Sequence, residues 1–233
     1  MNNTTLQIKF KQRLNKLASN DYDNIECWQM VEAFNKAQIE WVRRQLHGNN
    51  IFKEGDEQSK TLIDDLQELL QTTGLQGIES DNVYVSNSLP DNYLSFKRVS
   101  TLAKSECCPP RDMTVYLVEE ANIDLILRDP LKRPDYDWGE TICTIIGGKI
   151  KIFSNDDFTV HKPKLTYYRS PRNIQIAGCK DPYTGSESTG DVSCEFKDDI
   201  TEILIDEAVA IIAGDIMDMS NYQRETAAGQ RNT

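Results

Sequence analysis

Histidine is almost missing from this chain: His47 and His161 are the only two in 233 residues. Neither belongs to an H-x-x-x-H or H-E-x-x-H pattern, so zinc-hydrolase chemistry has little support and no metal or cofactor is expected. Cysteine is sparse as well. Cys27, Cys107, Cys108, Cys143, Cys179 and Cys194 include no C-x-x-C pair. Their low density and irregular spacing argue against a disulfide framework, and free thiols in a reducing compartment are the expectation. No apolar run approaches the length of a membrane helix, so no membrane partner is expected. The opening residues, MNNTTLQIKF, lack the apolar core of a signal peptide, and the chain is expected to stay in the compartment that makes it. Basic charge is in deficit: the net charge is −11 and the sequence pI about 4.7, which disfavours broad nucleic-acid binding. Internal repeats and low-complexity blocks are absent too.

What is present is a globular composition, 39% hydrophobic with a mean hydropathy of −0.55. The length suits one large domain or two small ones. Charge is unevenly placed. Before Asp21 the chain has Lys9, Lys11, Arg13 and Lys16 and no acid. Residues 191–218 carry nine acids against Lys197 alone. Such opposite-signed ends can be solvated faces, or can pair within one subunit or between neighbours.

The run 21–46 carries more apolar surface than one contact needs. At about 100° per residue, Cys27, Met30, Phe34, Ala37 and Trp41 form one stripe. Trp28, Val31, Ile39, Val42 and Leu46 form a second, roughly 130° away. Surface helices usually need one stripe. This helix, expected over 23–46, must be covered from two sides, by its own domain or by another molecule.

A first helix is expected over 4–18, with Leu6, Phe10, Leu14 and Leu17 repeating at three and four. A break at 19–23 follows, where Asp21 or Asp23 can cap the second helix, which stops at Gly48-Asn49-Asn50. A third helix is expected over 58–72 with Gly74 as its stop. Short strands then follow at 83–85 and 94–99, a stronger one at 114–118, and a helical turn at 121–127. The clearest hairpin is 141–146 and 149–153 around Gly147-Gly148, two residues able to adopt positive φ. Strands at 159–160 and 165–169 continue the β-region, with Pro163 and Pro171 confining them to edges or ends. Residues 181–193 read as a surface loop. Asp199 and Glu202 suggest a capping box for a last helix, along which Ile205, Ala208, Val209, Ile212 and Ile216 share a face.

The pattern is α+β: an N-terminal helical hairpin or bundle layer, a central mainly antiparallel β-region and a C-terminal helix. The expected division is a helical layer over 1–76, a β-rich region over 77–197, a helix over 198–220 packing on the N-terminal helices, and a flexible tail over 221–233.

Candidate chemistry is thin. Cys107-Cys108-Pro109-Pro110 can chelate a soft metal or form a vicinal disulfide, but two prolines read better as a turn. No local pattern sets a base beside any cysteine. Gly147-Gly148-Lys149 lacks the rest of a phosphate loop and leads into a strand. Asp64-Asp65, Asp156-Asp157 and Asp198-Asp199 read as solvated acid pairs, and Asp21 to Asn24 as helix capping rather than a calcium loop. More distinctive is Leu165-Thr-Tyr-Tyr-Arg-Ser-Pro-Arg172. Tyrosine and arginine are favoured interface anchors, and equally can cover a core at a sheet edge.

Three stretches together resemble a known family: DYDNIECW running into EAFNKAQIEWVRR over 21–44, KLTYYRSP over 164–171, and CEF followed by EILIDEAVA over 194–210. In this order they are similar to the ring and connector proteins at the head–tail junction of crAss-like tailed bacteriophages. The Gly/Ser loop between Cys179 and Cys194 is longer than that pattern suggests between the tyrosine–arginine–proline strand and Cys194-Glu195, so the resemblance does not assign a position in the ring stack. The resemblance implies a non-enzymatic structural protein of the virion neck or tail, assembled in the bacterial host cytoplasm. Its partners would be further copies of itself in a closed ring of about twelve subunits, the portal protein or neighbouring ring and tail proteins, and DNA passing through the channel without sequence-specific contact. Trp28, Phe34, Trp41, Tyr168, Arg169 and Arg172 are the candidate interface residues. The alternatives are an assembly or adaptor protein that binds a partner through the same helix, and a small enzyme using Cys107, Cys108 or His161.

Overall fold

The computed structural model describes residues 1–14, 25–47, 65–106, 108–156, 158–181, 183–215, 223 and 226–227. The expected break at 19–23, residues 15–18 of the first helix, the helix stop at 48–50, residues 58–64 of the third helix, the end of the last helix beyond Asp215 and nearly all of 221–233 lie outside them. The fold is α+β. Its two units are 1–68 with 171–233, and 69–170. The seam therefore differs from the expected one: 171–197 belongs with the helices, and the β-unit begins at Leu69.

The first unit holds α1 (Asn3–Leu14), α2 (Cys27–His47) and α4 (Asp198–Asp215). α1 buries Leu6, Phe10 and Leu14 on one face, as its spacing predicts. α2 begins at Cys27, later than expected, with Ile25 and Glu26 ahead of it non-helical. The Glu26 N–H donates to Gln29 Oε1 at 3.0 Å, so a glutamine three residues on helps close the helix start, and the expected caps Asp21 and Asp23 lie outside the described residues. α4 is apolar on much of its circumference. Ile200, Leu204, Ile205, Ala208, Val209, Ile212 and Ala213 are all buried, and it packs against both α1 and α2. The expected capping box does not form. Asp199 is exposed in the first turn, where an acid suits the helix dipole, while Glu202 turns to Lys9 and Arg13.

The second unit is an eight-stranded mixed sheet. Its strands are β1 (Leu70–Gly74), β2 (Gly77–Ser80), β3 (Val83–Ser86), β4 (Tyr93–Lys104), β5 (Arg111–Leu117), β6 (Glu140–Ile146), β7 (Lys149–Phe153) and β8 (Thr159–Arg169). Their spatial order is β1-β8-β4-β5-β6-β7-β3-β2. Every pairing is antiparallel except β5 with β6. A parallel pair needs a crossover, and here a 3-10 turn (Glu120–Asn122) and α3 (Ile123–Arg128) supply it. The β6–β7 hairpin forms as predicted, with Gly147 at φ 57° and Gly148 at φ 70°.

Two expectations fail here for tertiary reasons. Leu70 to Thr72, expected at the end of a helix, form part of β1. Pairing with β8 outweighs their local pattern, and Thr72 Oγ1 meets Thr166 Oγ1 at 3.0 Å across the strands. β8 runs unbroken through Pro163, a residue expected only at an edge or a strand end, although β8 lies between β1 and β4. The β4–β8 register shifts between Ser100 and Leu102, so the imino nitrogen falls at a bulge instead of a ladder position. Lys162 beside it takes φ 47°.

β1 and β2 stand at opposite ends of the sheet order, yet only Leu75 and Gln76 separate them. Two residues bridge no more than about 11 Å between Gly74 and Gly77. The sheet must therefore curl until its two ends meet, and three register shifts along β4–β8 allow the bending. The link is pinned on both sides. Leu75 N–H donates to Pro163 O at 2.8 Å, Asn87 N–H to Gln76 O at 2.6 Å, and Tyr84 Oη to Leu75 O at 3.0 Å. Glu79 of β2 accepts from Val160 N–H at 3.0 Å and from Ser154 Oγ at 2.8 Å. Leu75, Tyr84, Val99, Cys143, Ile150, Ile152, Leu165 and Tyr167 fill the interior.

Gly77 is the tightest point of that closure: a Cβ there would lie 2.2 Å from Val85 O and 2.8 Å from Ser86 Cα, whereas one at Gly74 meets nothing within 4 Å. Gly77→Ala is expected to lower unfolding stability by about 1–3 kcal/mol, and Gly74→Ala by less than about 1 kcal/mol. Urea unfolding of the two variants beside the parent checks this, and equal midpoints for both would show that the seam is not constrained.

Candidate interface along helix α2

α2 divides its two stripes unequally. Met30, Phe34, Ala37 and Trp41 of the first are buried, between 0% and 4% exposed, and Cys27 is half-buried. Trp41 meets Phe196 edge-on with ring centroids 5.3 Å apart. In the second stripe Val42 is buried, while Trp28, Val31, Ile39 and Leu46 stay half-buried. Trp28 and Val31 form one wall of a groove of about 390 Å³, whose other wall includes Ile174, Ile176, Cys179 and Tyr183. Trp28 Nε1 donates to Glu26 Oε2 at 2.5 Å.

Polar side chains hold the returning chain against the helices. Asn35 Oδ1 accepts from Ile174 N–H at 2.8 Å. Gln38, fully buried, donates to Asn35 Oδ1 at 3.0 Å and reaches Arg172 O at 3.5 Å. Asn3 Nδ2 donates to Gln175 O at 2.7 Å and to Asp191 Oδ1 and Val192 O at 3.3 Å. The sequence reading passed over these three residues. Their signal was a pair of amides three residues apart, between two apolar stripes, where a buried amide must find partners.

The opposite-signed ends pair within the chain. Lys9 and Arg13 meet Glu202, Arg13 Nη1 meets Asp206 at 2.5 Å, and Arg44 Nη1 lies 2.9 Å from Glu207 Oε1. Positions 9 and 13 of α1 match 202 and 206 of α4, each pair one helical turn apart. Burial raises the Glu207 carboxyl above the usual range despite Arg44, and Glu40 and Asp206 add to the rise.

Cys27 and Cys179 form a disulfide, with Cα atoms 5.7 Å apart and a sequence separation of 152. This corrects the expectation of free thiols throughout. Spacing could not reveal a pair so distant. Cys143 and Cys194 are free thiols. Burial pushes the Cys143 thiol up to about 12 and raises that of Cys194, so both stay protonated at neutral pH.

Of the six candidate interface residues, Phe34 and Trp41 are buried within the helical unit, and Tyr168 and Arg169 within the sheet. A side chain enclosed by its own fold has no surface left for a neighbour, so these four are corrected to core residues. Tyr168 packs on β8 with Lys97 Nζ 5.9 Å from its ring centre. Trp28 and Arg172 remain accessible, and the Arg172 Nε lies 3.3 Å from Glu195 Oε2.

Of the candidate catalytic groups, Cys108 and Asp156 border one open polar cleft in the sheet unit, while His161 is exposed on β8 and does not line that cleft; Cys107, Asp64 and Asp157 lie outside the described residues. Among the described residues no group of three His, Cys, Asp or Glu side chains is placed to hold a metal ion. Nor is any helix among them long and apolar enough to cross a membrane.

Glu207 gives a test of the α2–α4 contact. A carboxyl raised in the folded state withholds stability at neutral pH and returns it as pH falls through the raised value toward the ordinary 4.5. The stability of Glu207→Gln relative to the parent is therefore expected to be most favourable at pH 7 and to decline as the pH approaches 4.5. Denaturant unfolding of both proteins at several pH values measures it; a constant difference would contradict the burial of the charged group. Compared with models of known protein families and with curated proteins, the chain matches none.

Proposed function

We propose that this chain is a virion structural protein that assembles into an oligomeric ring in the portal-to-tail connector of a tailed bacteriophage, around a channel for DNA. The observation that carries the reading is the half-exposed second stripe of α2. Trp28, Val31, Ile39 and Leu46 run along a helix whose first stripe is already enclosed, which leaves an apolar face for another subunit. The resemblance of 21–44, 164–171 and 194–210 to ring proteins of crAss-like phages supports it.

In this role the helical layer packs between copies, and the Gly147-Gly148 hairpin is a candidate contact with rings above or below. A head-to-tail contact closes into a ring when its rotation closes, here with about twelve copies. The Lys9 and Arg13 pairs with Glu202 and Asp206 are internal, so the ring contact rests on apolar surface and not on the charged ends. The net charge of −11 suits a conduit, because repulsion keeps passing phosphates from adhering. No catalytic step and no cofactor enter this function.

Trp28 and Trp41 separate the two sides of α2. Trp41→Ala is expected to cost about 3–5 kcal/mol of unfolding stability. Trp28→Ala should cost about 1 kcal/mol or less but reduce the assembled fraction, read by native mass measurement and electron microscopy of the protein with its neighbouring virion proteins. The parent should also be present in stoichiometric amounts in purified particles. Equal destabilisation of an isolated monomer by both changes would overturn the two-sided role, and absence from particles would favour the assembly adaptor.

A further inference from the structure

The segment following Ile176 is attached to its unit in an unusual way. Its base is well held: Ile174 and Ile176 are buried, Gln175 and Val192 form a β-bridge, and Asn3 donates to Gln175 O. Beyond the base, Cys179 is the only buried residue among the described positions from 177 to 193. The tip folds on itself. Gly178 N–H donates to Ser188 O at 3.0 Å, Ser188 N–H to Cys179 O at 2.9 Å, and the Asp181 carboxylate accepts from Tyr183 N–H and Thr184 Oγ1. Among the described residues no hydrogen bond or ion pair joins 177–190 to a helix. The Cys27–Cys179 bond does.

We propose that thiol–disulfide exchange at Cys27 and Cys179 is a switch that fastens and releases the 177–190 tip, and with it one wall of the groove beside Trp28 and Val31. The tip is a local unit with few buried contacts, so it can open without unfolding the helices. The oxidant is a low-molecular-weight disulfide of the glutathione class. Cys27, half-buried, is reached before Cys179, which is buried. The Cys27 thiolate attacks one sulfur of the small disulfide, forming a mixed disulfide and expelling one thiolate. The Cys179 thiolate then attacks the Cys27 sulfur, closing the protein bond and expelling the second. The two protons given up by the cysteines pass to the two leaving thiolates. The protein loses two electrons and the small disulfide gains two. A thiol-rich compartment reverses the reaction and frees the far wall of the Trp28 groove; an oxidising one fixes that wall in place. The switch does not depend on the ring assignment.

The test is hydrogen exchange by mass spectrometry on the full chain, equilibrated first with oxidised and then with reduced glutathione. Peptides covering 177–190 are expected to exchange on the order of tenfold faster after reduction, while those covering α4 keep their rate. Cys179→Ser should show the fast rate in both buffers, and Cys194→Ser should keep the response. Should Cys179→Ser fail to fold, the parent protein in the two buffers carries the same comparison. Equal exchange of 177–190 in both states overturns the proposal. So does an alkylated peptide map in which oxidised glutathione leaves Cys27 and Cys179 unjoined.

Discussion

α4 must be covered from more than one side, and the helical unit follows from that. Ile200, Leu204, Ile205, Ala208, Val209, Ile212 and Ala213 leave little of its circumference fit for water. α1 covers it with Leu6, Phe10 and Leu14, and α2 with the Met30 to Trp41 stripe. Its acids then become a difficulty, since a carboxylate near a packed interface needs a partner. Lys9, Arg13 and Arg44 supply one to Glu202, Asp206 and Glu207. The basic start and the acidic end of the chain are thus two halves of one packing solution. They are drawn together by apolar burial, and their charges are matched so that the burial can occur.

The sheet unit answers a different constraint. A strand order whose ends lie two residues apart leaves no freedom to stay flat. Bulges along β4–β8 bend the sheet, a proline falls where the ladder is already broken, and a glycine occupies the place where backbone meets backbone. Glu79 then completes the seam by accepting from the Val160 N–H that β1 is too short to reach. Each feature looks like a local irregularity, and each is required by the closure.

This explains which parts were legible in the sequence. The stripes of α1, α2 and α4 and the Gly147-Gly148 hairpin depend on neighbours in the chain, so periodicity and turn chemistry found them. β1 depends on β8, nearly 100 residues later in sequence, and its Leu-Gln-Thr-Thr pattern has no way to announce that. The Cys27–Cys179 pair is hidden for the same reason. The candidate interface was misjudged more instructively. Aromatic side chains are favoured at interfaces and in cores on the same physical grounds, large area held by few rotors. Composition could not tell Trp28 from Trp41; only burial separates them.

That separation bears on how α2 can serve both fold and assembly. A helix with two apolar stripes is stable alone only if the exposed one is small or sheltered. Here shelter comes from the chain itself. Asn3, Asn35 and Gln38 bind the backbone of Arg172, Ile174, Gln175 and Val192, fixing the base of the loop that forms the far wall of the Trp28 groove. The polar anchors therefore act on the apolar face. By holding Ile174 and Ile176 opposite Trp28 and Val31, they reduce the apolar area that water meets while leaving the groove open at its mouth. A partner entering there would find a wall already ordered, and would bear less of the entropic cost of building the contact. The same amides that make the free chain tolerable in water would then make its second stripe ready for another surface.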